Sequence, residues 1–207
     1  MFIGHVAAGL LGARQARLPL GTAILAAQLP DVIWPVLLLA GVEHAAIAPG
    51  DTAVTPLRFE SYPWSHSLVM VALAGALLGT LYGWVRGSRR MGATLALLAL
   101  SHWVLDFVSH RPDMPVQPFG GPKLGLGLWN SVAATLAVEG ALFAVAVWLY
   151  VRGRRPGLGF WLLMGLLLVV YVANVFGPPP PNLTSVAGAG IVVTPLLWYW
   201  GNRSSCA

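Results

Sequence analysis

Long apolar runs separated by short polar clusters dominate the chain. A membrane-crossing helix needs about 20 apolar residues. Six segments are candidates: Leu18–Val42, His66–Val85, Met91–Ser109, Leu128–Val151, Leu158–Phe176 and Val186–Trp200. A shorter apolar piece, Phe2–Ala13, precedes them and is too short to cross alone. It is expected to be re-entrant or half-inserted. The predicted fold class is all-α: a polytopic transmembrane helix bundle in a single integral membrane domain, 1–207. It has six full spans plus a short N-terminal helix, or seven spans if the first piece crosses with help.

Composition agrees with the pattern. Of 207 residues, 57% are hydrophobic and 9% charged, against roughly 25% charged in soluble domains. The net charge of +5 does not suggest nucleic acid, because the arginines sit in short clusters between apolar runs. The single cysteine, Cys206, excludes an intrachain disulfide framework and a cysteine-based zinc site. No cleavable signal pattern is expected, since the first charges follow the first apolar stretch.

Orientation follows the cations. Arg14, Arg17, Arg86, Arg89, Arg90, Arg152, Arg154, Arg155 and Arg203 fall on one side when the spans alternate. Arg58, Arg111 and Lys123 fall on the other, together with Glu43, Asp51, Glu60 and Asp113. The first set is placed inside. The expected location is the cytoplasmic (inner) cell membrane, multi-pass, with the C-terminus cytoplasmic. The loops 43–65, 111–127 and 177–185 then face outward.

Ionisable groups inside membrane-length apolar segments are costly and mark functional sites. His5, Asp31, His66, His102 and Asp106 are such groups, with His110 one helical turn further on. Helical rise of about 1.5 Å per residue puts them in one layer of the outer half of the membrane. His102, Asp106 and His110 are spaced i, i+4, i+8 and form one stripe. The outer two are roughly 12 Å apart along a straight helix and cannot share an ion. Asp106 between them either bridges two metals or leaves His110 outside the first ligand shell. Imidazole and carboxylate donors suit zinc, one ion or two, with Mn2+ or Fe2+ also accommodated. The alternative is a buried polar pair gluing helices together.

Asp31 sits at Leu29-Pro30-Asp31, where proline kinks the helix. A carboxylate there needs a cation partner. Glu139 is a further mid-membrane acid, read as a general base or proton relay, or else as a protonated group bonded to backbone. Asn130 and Arg111 lie at the outer ends of their segments as candidate substrate-binding residues. No G-x-S-x-G or HExxH pattern occurs.

These motifs resemble the bacterial and archaeal family of membrane-bound metal-dependent hydrolases. The likeness is carried by Gly4-His5, Leu29-Pro30-Asp31, Ser65-His66-Ser67-Leu68 and His102 through Asp106, over about residues 4 to 115. The stretches His102–Pro115 and Lys123–Ser131 are similar to an uncharacterised subgroup. Many members carry an extra histidine four residues before the second, in H-R-G-x-T-H-S. Here Tyr62 takes that place and Arg-Gly is missing. The chain loses that ligand, or recruits His110 or Glu60.

The resemblance implies metal-activated water acting on a substrate reached from the membrane. Asp106 or Glu139 would take the proton. A phospholipid or isoprenoid phosphate fits such a site, as does another phosphoester, an ester or an amide; Arg58, Arg111 and Lys123 would meet a phosphate. The expected partners are membrane lipids and a small-molecule or lipid substrate, with an oligomer allowed. The alternative function is a metal-ion or proton-coupled transporter using the same His/Asp cluster. A third reading is a scaffold whose metal only holds helices together.

Overall fold

The computed structural model describes residues 1–204; Cys206 lies outside them. The helices are α1 Ile3–Ala16, α2 Leu20–Ala27, α3 Leu29–Leu39, α4 Pro63–His66, α5 Leu68–Val85, α6 Arg89–Ser109, α7 Val132–Val151, α8 Leu158–Phe176 and α9 Leu183–Arg203. α5 to α9 are each long and apolar enough to cross a membrane, and α2 with α3 forms an apolar pair bent by 59°, the shape of a broken span or of a re-entrant loop. The protein is an all-α, multi-pass membrane bundle. Side-chain acceptors start several spans where the helix has free N–H groups. Ser67 accepts from Met70 N, Ser88 from Met91 N, Ser131 from Ala134 N and Asn182 from Ser185 N.

α1 is not an edge piece. It is the axis of the bundle, packed against α2, α6 and α7. Its 14 residues reach only about 21 Å, too short to cross. Because the helix is apolar on nearly every side, it is stable only when surrounded. Val6, Leu10, Ala13, Ile24, Leu95, Phe143, Ala146 and Leu163 form the core around it. Glycine allows the approach: a Cβ at Gly9 would lie 2.8 Å from Ile24 Cα, and one at Gly12 2.7 Å from Leu98 Cδ1. Arg14 donates to the carbonyls of Tyr150 and Arg152, at 3.2 and 2.9 Å, tying the end of α1 to the end of α7. Leu77, Leu81, Trp148, Leu162, Val169 and Leu196 point outward from the bundle, where lipid is the solvent.

The break in the first candidate span, Leu18–Val42, differs from the expected proline kink. It falls at Gln28, before Pro30. Pro30 sits in the first turn of α3, where its missing N–H costs nothing. Two further spans start later than the apolar pattern suggested. His66 closes the separate one-turn helix α4, and α5 begins at Leu68. A 3-10 turn, Leu128–Asn130, precedes α7.

The long loops form an ordered cap over the ends of α3, α5 and α6. β1 (His44–Ile47) pairs antiparallel with β2 (Leu57–Ser61), and β3 (Met114–Pro115) with β4 (Lys123–Leu124). Backbone bonds fasten the cap: Ala53 N donates to Trp129 O at 3.0 Å, Leu126 N to Phe107 O at 2.8 Å, and Gly127 N to His110 O at 2.7 Å. Trp34, Tyr62, Val71, Trp103 and Met114 fill the space beneath it.

Asp51 is the ionic knot of the cap. Its Oδ1 accepts from Arg58 Nε and NH2 at 3.2 and 3.0 Å, and its Oδ2 pairs with Arg111. The Arg58 bonds hold the Asp51 carboxyl below its ordinary pKa; partial burial opposes them and Arg111 adds to them. A group with a depressed folded pKa stabilises above its unfolded value, about 3.9, and loses that effect as pH falls further. Protection of the β2 amides, relative to their intrinsic exchange at the same pH, is therefore predicted to fall as pH drops below about 3.9, and Asp51→Asn should show the lowered protection already at neutral pH. Gly9→Val should destabilise the bundle by roughly 1–3 kcal/mol through overpacking, read from unfolding in detergent.

Candidate metal centre

α1, α3, α4 and α6 deliver five of the nominated groups to one place. His102 and Asp106 lie one turn apart on the buried face of α6. Asp31 stands in the first turn of α3, just past the break, and His66 ends α4. His5 projects from the first turn and a half of α1. His66 Nε2 lies 3.4 Å from Asp31 Oδ1, and His102 Nε2 lies 3.9 Å from the same oxygen. His102 Nε2 is 3.0 Å from Asp106 Oδ2, and His5 Nε2 is 3.0 Å from Asp106 Oδ1. The Met1 ammonium also contacts Asp106 Oδ1. The donor atoms of Asp31, His66 and His102 fall within 4.8 Å of one another, as do those of His5, His102 and Asp106. These groups, all buried except the exposed Asp31, can hold a divalent cation.

Hydrogen-bond partners assign the protons on His102. Its Nδ1 is 3.0 Å from Ala27 O, and a carbonyl can only accept. Nδ1 therefore carries a hydrogen, and in the neutral ring Nε2 carries the lone pair. Nε2 is buried and has no hydrogen-bond partner. Asp106 Oδ2 is close enough, but the direction is wrong for a hydrogen bond. A lone pair facing two carboxylate oxygens is repulsive unless a cation stands among them. Two donors on one tetrahedral zinc, with bonds of about 2.0–2.1 Å, are roughly 3.4 Å apart. The His66–Asp31 spacing of 3.4 Å equals that figure, and the His102–Asp31 spacing of 3.9 Å is wider by half an ångström.

His5 plays a different part. Its ring stacks on that of His102, centroids 3.8 Å apart and planes 8° from parallel. An ion bound through a ring nitrogen lies near the plane of that ring. Two parallel rings cannot both contain it. In this arrangement His5 holds Asp106 through Nε2 instead.

The remaining nominated residues divide. His110 caps the end of α6, its Nε2 3.8 Å from Asp106 Oδ2. Its Nδ1 lies 3.0 Å from Asp113 Oδ1 and 3.3 Å from the Tyr62 hydroxyl, which donates to Asp113 at 2.9 Å. Tyr62 thus braces His110. Glu60 is exposed on β2, away from the cluster. Burial pushes the Tyr62 hydroxyl up, and the neighbouring Asp113 adds to this. Burial also works to raise Asp113, but bonds from His110, Tyr62 and Arg111 outweigh it and hold the carboxyl low.

Arg111 is committed to Asp51 and to Asp113, with Nε 3.0 Å from Asp113 Oδ2. Asn130 is exposed on its 3-10 turn. Its neighbour Trp129 faces the cluster, its ring 4.4 Å from that of His110. Glu139 Oε2 accepts the N–H groups of Phe2 and Gly4 at 2.9 and 3.2 Å, serving the free donors at the start of α1.

A cavity of about 160 Å³ opens against the cluster. Asp31, His66, Asp106, His110 and Glu139 share its wall with Trp34, Phe59, Trp129 and Tyr171. No lysine or arginine is among the described residues lining it.

One residue escaped the sequence reading. Glu43, there only a loop charge, is buried and accepts from Trp64 N, Ser65 N and Ser65 Oγ at 2.8, 2.8 and 2.6 Å. Ser65 Oγ in turn lies 2.7 Å from His66 Nδ1. No motif spacing links positions 43 and 65, so the sequence carried no signal for it. Comparison with known proteins adds no name to this site: no family model matches the chain, and neither a curated protein nor a solved structure matches it.

Proposed function

We propose that the protein is a membrane-embedded, metal-dependent hydrolase, as its resemblance to that family implies. The observation that carries the reading is the buried, partnerless His102 Nε2, held with its lone pair against two carboxylates. Asp31, His66 and His102 are the proposed ligands, with Asp106 alongside. Zinc suits this donor set, and Mn2+ or Fe2+ takes the same donors. Such an ion supplies Lewis acidity, polarising a substrate oxygen and acidifying water toward neutral pH.

The chain's own residues supply the rest. His5 and His110 orient Asp106 from either side. Asp106 and Glu139, both on the cavity wall, are the carboxylates placed to accept a proton. The aromatic wall fits the apolar arm of a lipid-like substrate. Arg58 and Arg111 are already paired with carboxylates in the cap, so an anionic phosphate would meet acids without a free arginine. This charge balance favours a carbonyl ester or amide over the phosphoesters the sequence also allowed. With the arginine-rich ends inside, the site faces the outer half of the bilayer.

The broken α2–α3 pair beside Asp31 favours a second reading. Discontinuous helices with an acid at the break are how transporters build ion sites. Metal flux into vesicles, absent for a hydrolase, separates the two.

Elemental analysis of detergent-purified protein tests the metal site. Wild type is expected to hold about one divalent ion on three protein donors, the set a catalytic site with one open position uses. His102→Ala and Asp31→Ala should lose it. His5→Ala should keep it with an affinity roughly 10–100-fold weaker, the cost of removing a residue that orients a ligand. A metal-free wild type, even after reconstitution, would sink the proposal.

A further inference from the structure

We infer that Glu43 and Ser65 form a positioning pair that decides which nitrogen of His66 is free to bind a cation. The inference rests on the metal-site reading above. Ser65 opens the Ser65-His66-Ser67-Leu68 motif, whereas Glu43 lies outside every motif in the sequence.

The argument is a count of hydrogens. Glu43 is 1% exposed. Its Oε1 accepts two backbone N–H bonds, from Trp64 and Ser65, and its Oε2 lies 2.6 Å from Ser65 Oγ. Two oxygens that close need a hydrogen between them. A carboxylate has none to give, so the hydrogen is the hydroxyl's. Ser65 Oγ also lies 2.7 Å from His66 Nδ1. The hydroxyl's one hydrogen is spent on Glu43, so the hydrogen in this second contact sits on Nδ1. The chain runs from His66 Nδ1–H to Ser65 Oγ–H to the Glu43 carboxylate.

In the neutral ring, His66 Nε2 is left with its lone pair. It faces Asp31 Oδ1 at 3.4 Å, the spacing of two donors on one ion with bonds of about 2.0–2.1 Å. His102 reaches the same state by another route, through the Ala27 carbonyl. The two imidazoles are thus set by independent partners, one from the broken span and one from the loop after α3. Ring nitrogens of metal-binding histidines are generally oriented in this way by a carboxylate or carbonyl behind them.

A purely structural role for Glu43 is the competing account, since it also serves the free N–H groups at the start of α4. Glu43→Gln separates the two. The glutamine carbonyl can keep the backbone bonds, while its amide donates to Ser65 Oγ. The Ser65 hydrogen then turns to His66 Nδ1, and the ring hydrogen moves to Nε2. Full-length wild type, Glu43→Gln and Ser65→Ala would be titrated with Co2+, and the metal-free proteins examined by 15N NMR of labelled histidine. The expected result is a cobalt affinity roughly 10–100-fold weaker in Glu43→Gln, a smaller loss in Ser65→Ala, and one imidazole moved from the Nδ1–H to the Nε2–H form in Glu43→Gln. Wild-type affinity and an unmoved imidazole would overturn the inference. If Glu43→Gln does not fold, unchanged affinity and tautomer in Ser65→Ala would do so alone. Failure of the wild type to bind Co2+ would defeat the metal-site reading instead, and the 15N spectra would still decide the state of His66.

Discussion

A carboxylate placed in the middle of an apolar bundle has to be matched by positive charge. Asp106 is that carboxylate. It is almost fully buried on a membrane-length helix, and groups from α1 and from two turns of α6 crowd its oxygens. Removing an ion of this size from water costs several kcal/mol even after relaxation. That cost explains why α1, too short to cross, is nonetheless enclosed on nearly every side. α1 brings His5 to Asp106, and it can do so only from the axis, where Gly9 and Gly12 let the neighbouring helices close around it.

The same demand shapes the cap. Loops beyond a membrane span have no packing obligation of their own, yet here they are fastened by backbone bonds, two short hairpins and the Asp51–Arg111–Asp113 chain of charges. The result holds His110 in place through Tyr62 and Asp113, and sets Glu43 beneath α4. The acids of the cap absorb its arginines, so the cavity wall keeps a negative and aromatic character. An electropositive guest, a metal ion above all, is what such a wall complements.

Much of this was legible in the chain. The spans follow from apolar length alone, because a bilayer leaves the backbone few other choices. His102 and Asp106 follow from helical spacing, and Asp31 from an acid beside a break. Three things were not legible. The break at Gln28 rather than Pro30 depends on how α2 packs against α6 and α9. The neutralisation of Arg111 depends on Asp51, which lies sixty positions away in a separate loop. The bond from Glu43 to Ser65 depends on a hairpin whose residues show no strong alternation. Each is a long-range contact made by short polar segments, where local pattern is weakest.

The interruption at Gln28 has an electrostatic consequence beyond shape. A continuous helix through this point would have its N–H groups paired inside the ladder. The fresh start at Leu29 instead leaves the first N–H groups of α3 outside that ladder, and a helix start carries roughly half a unit of positive charge. Asp31 sits in that first turn. The backbone itself thus shares in stabilising the anion, before any ligand arrives. Splicing the two halves into one straight rod would strip away that dipole and leave the acid poorer by it, even if every side chain stayed where it is.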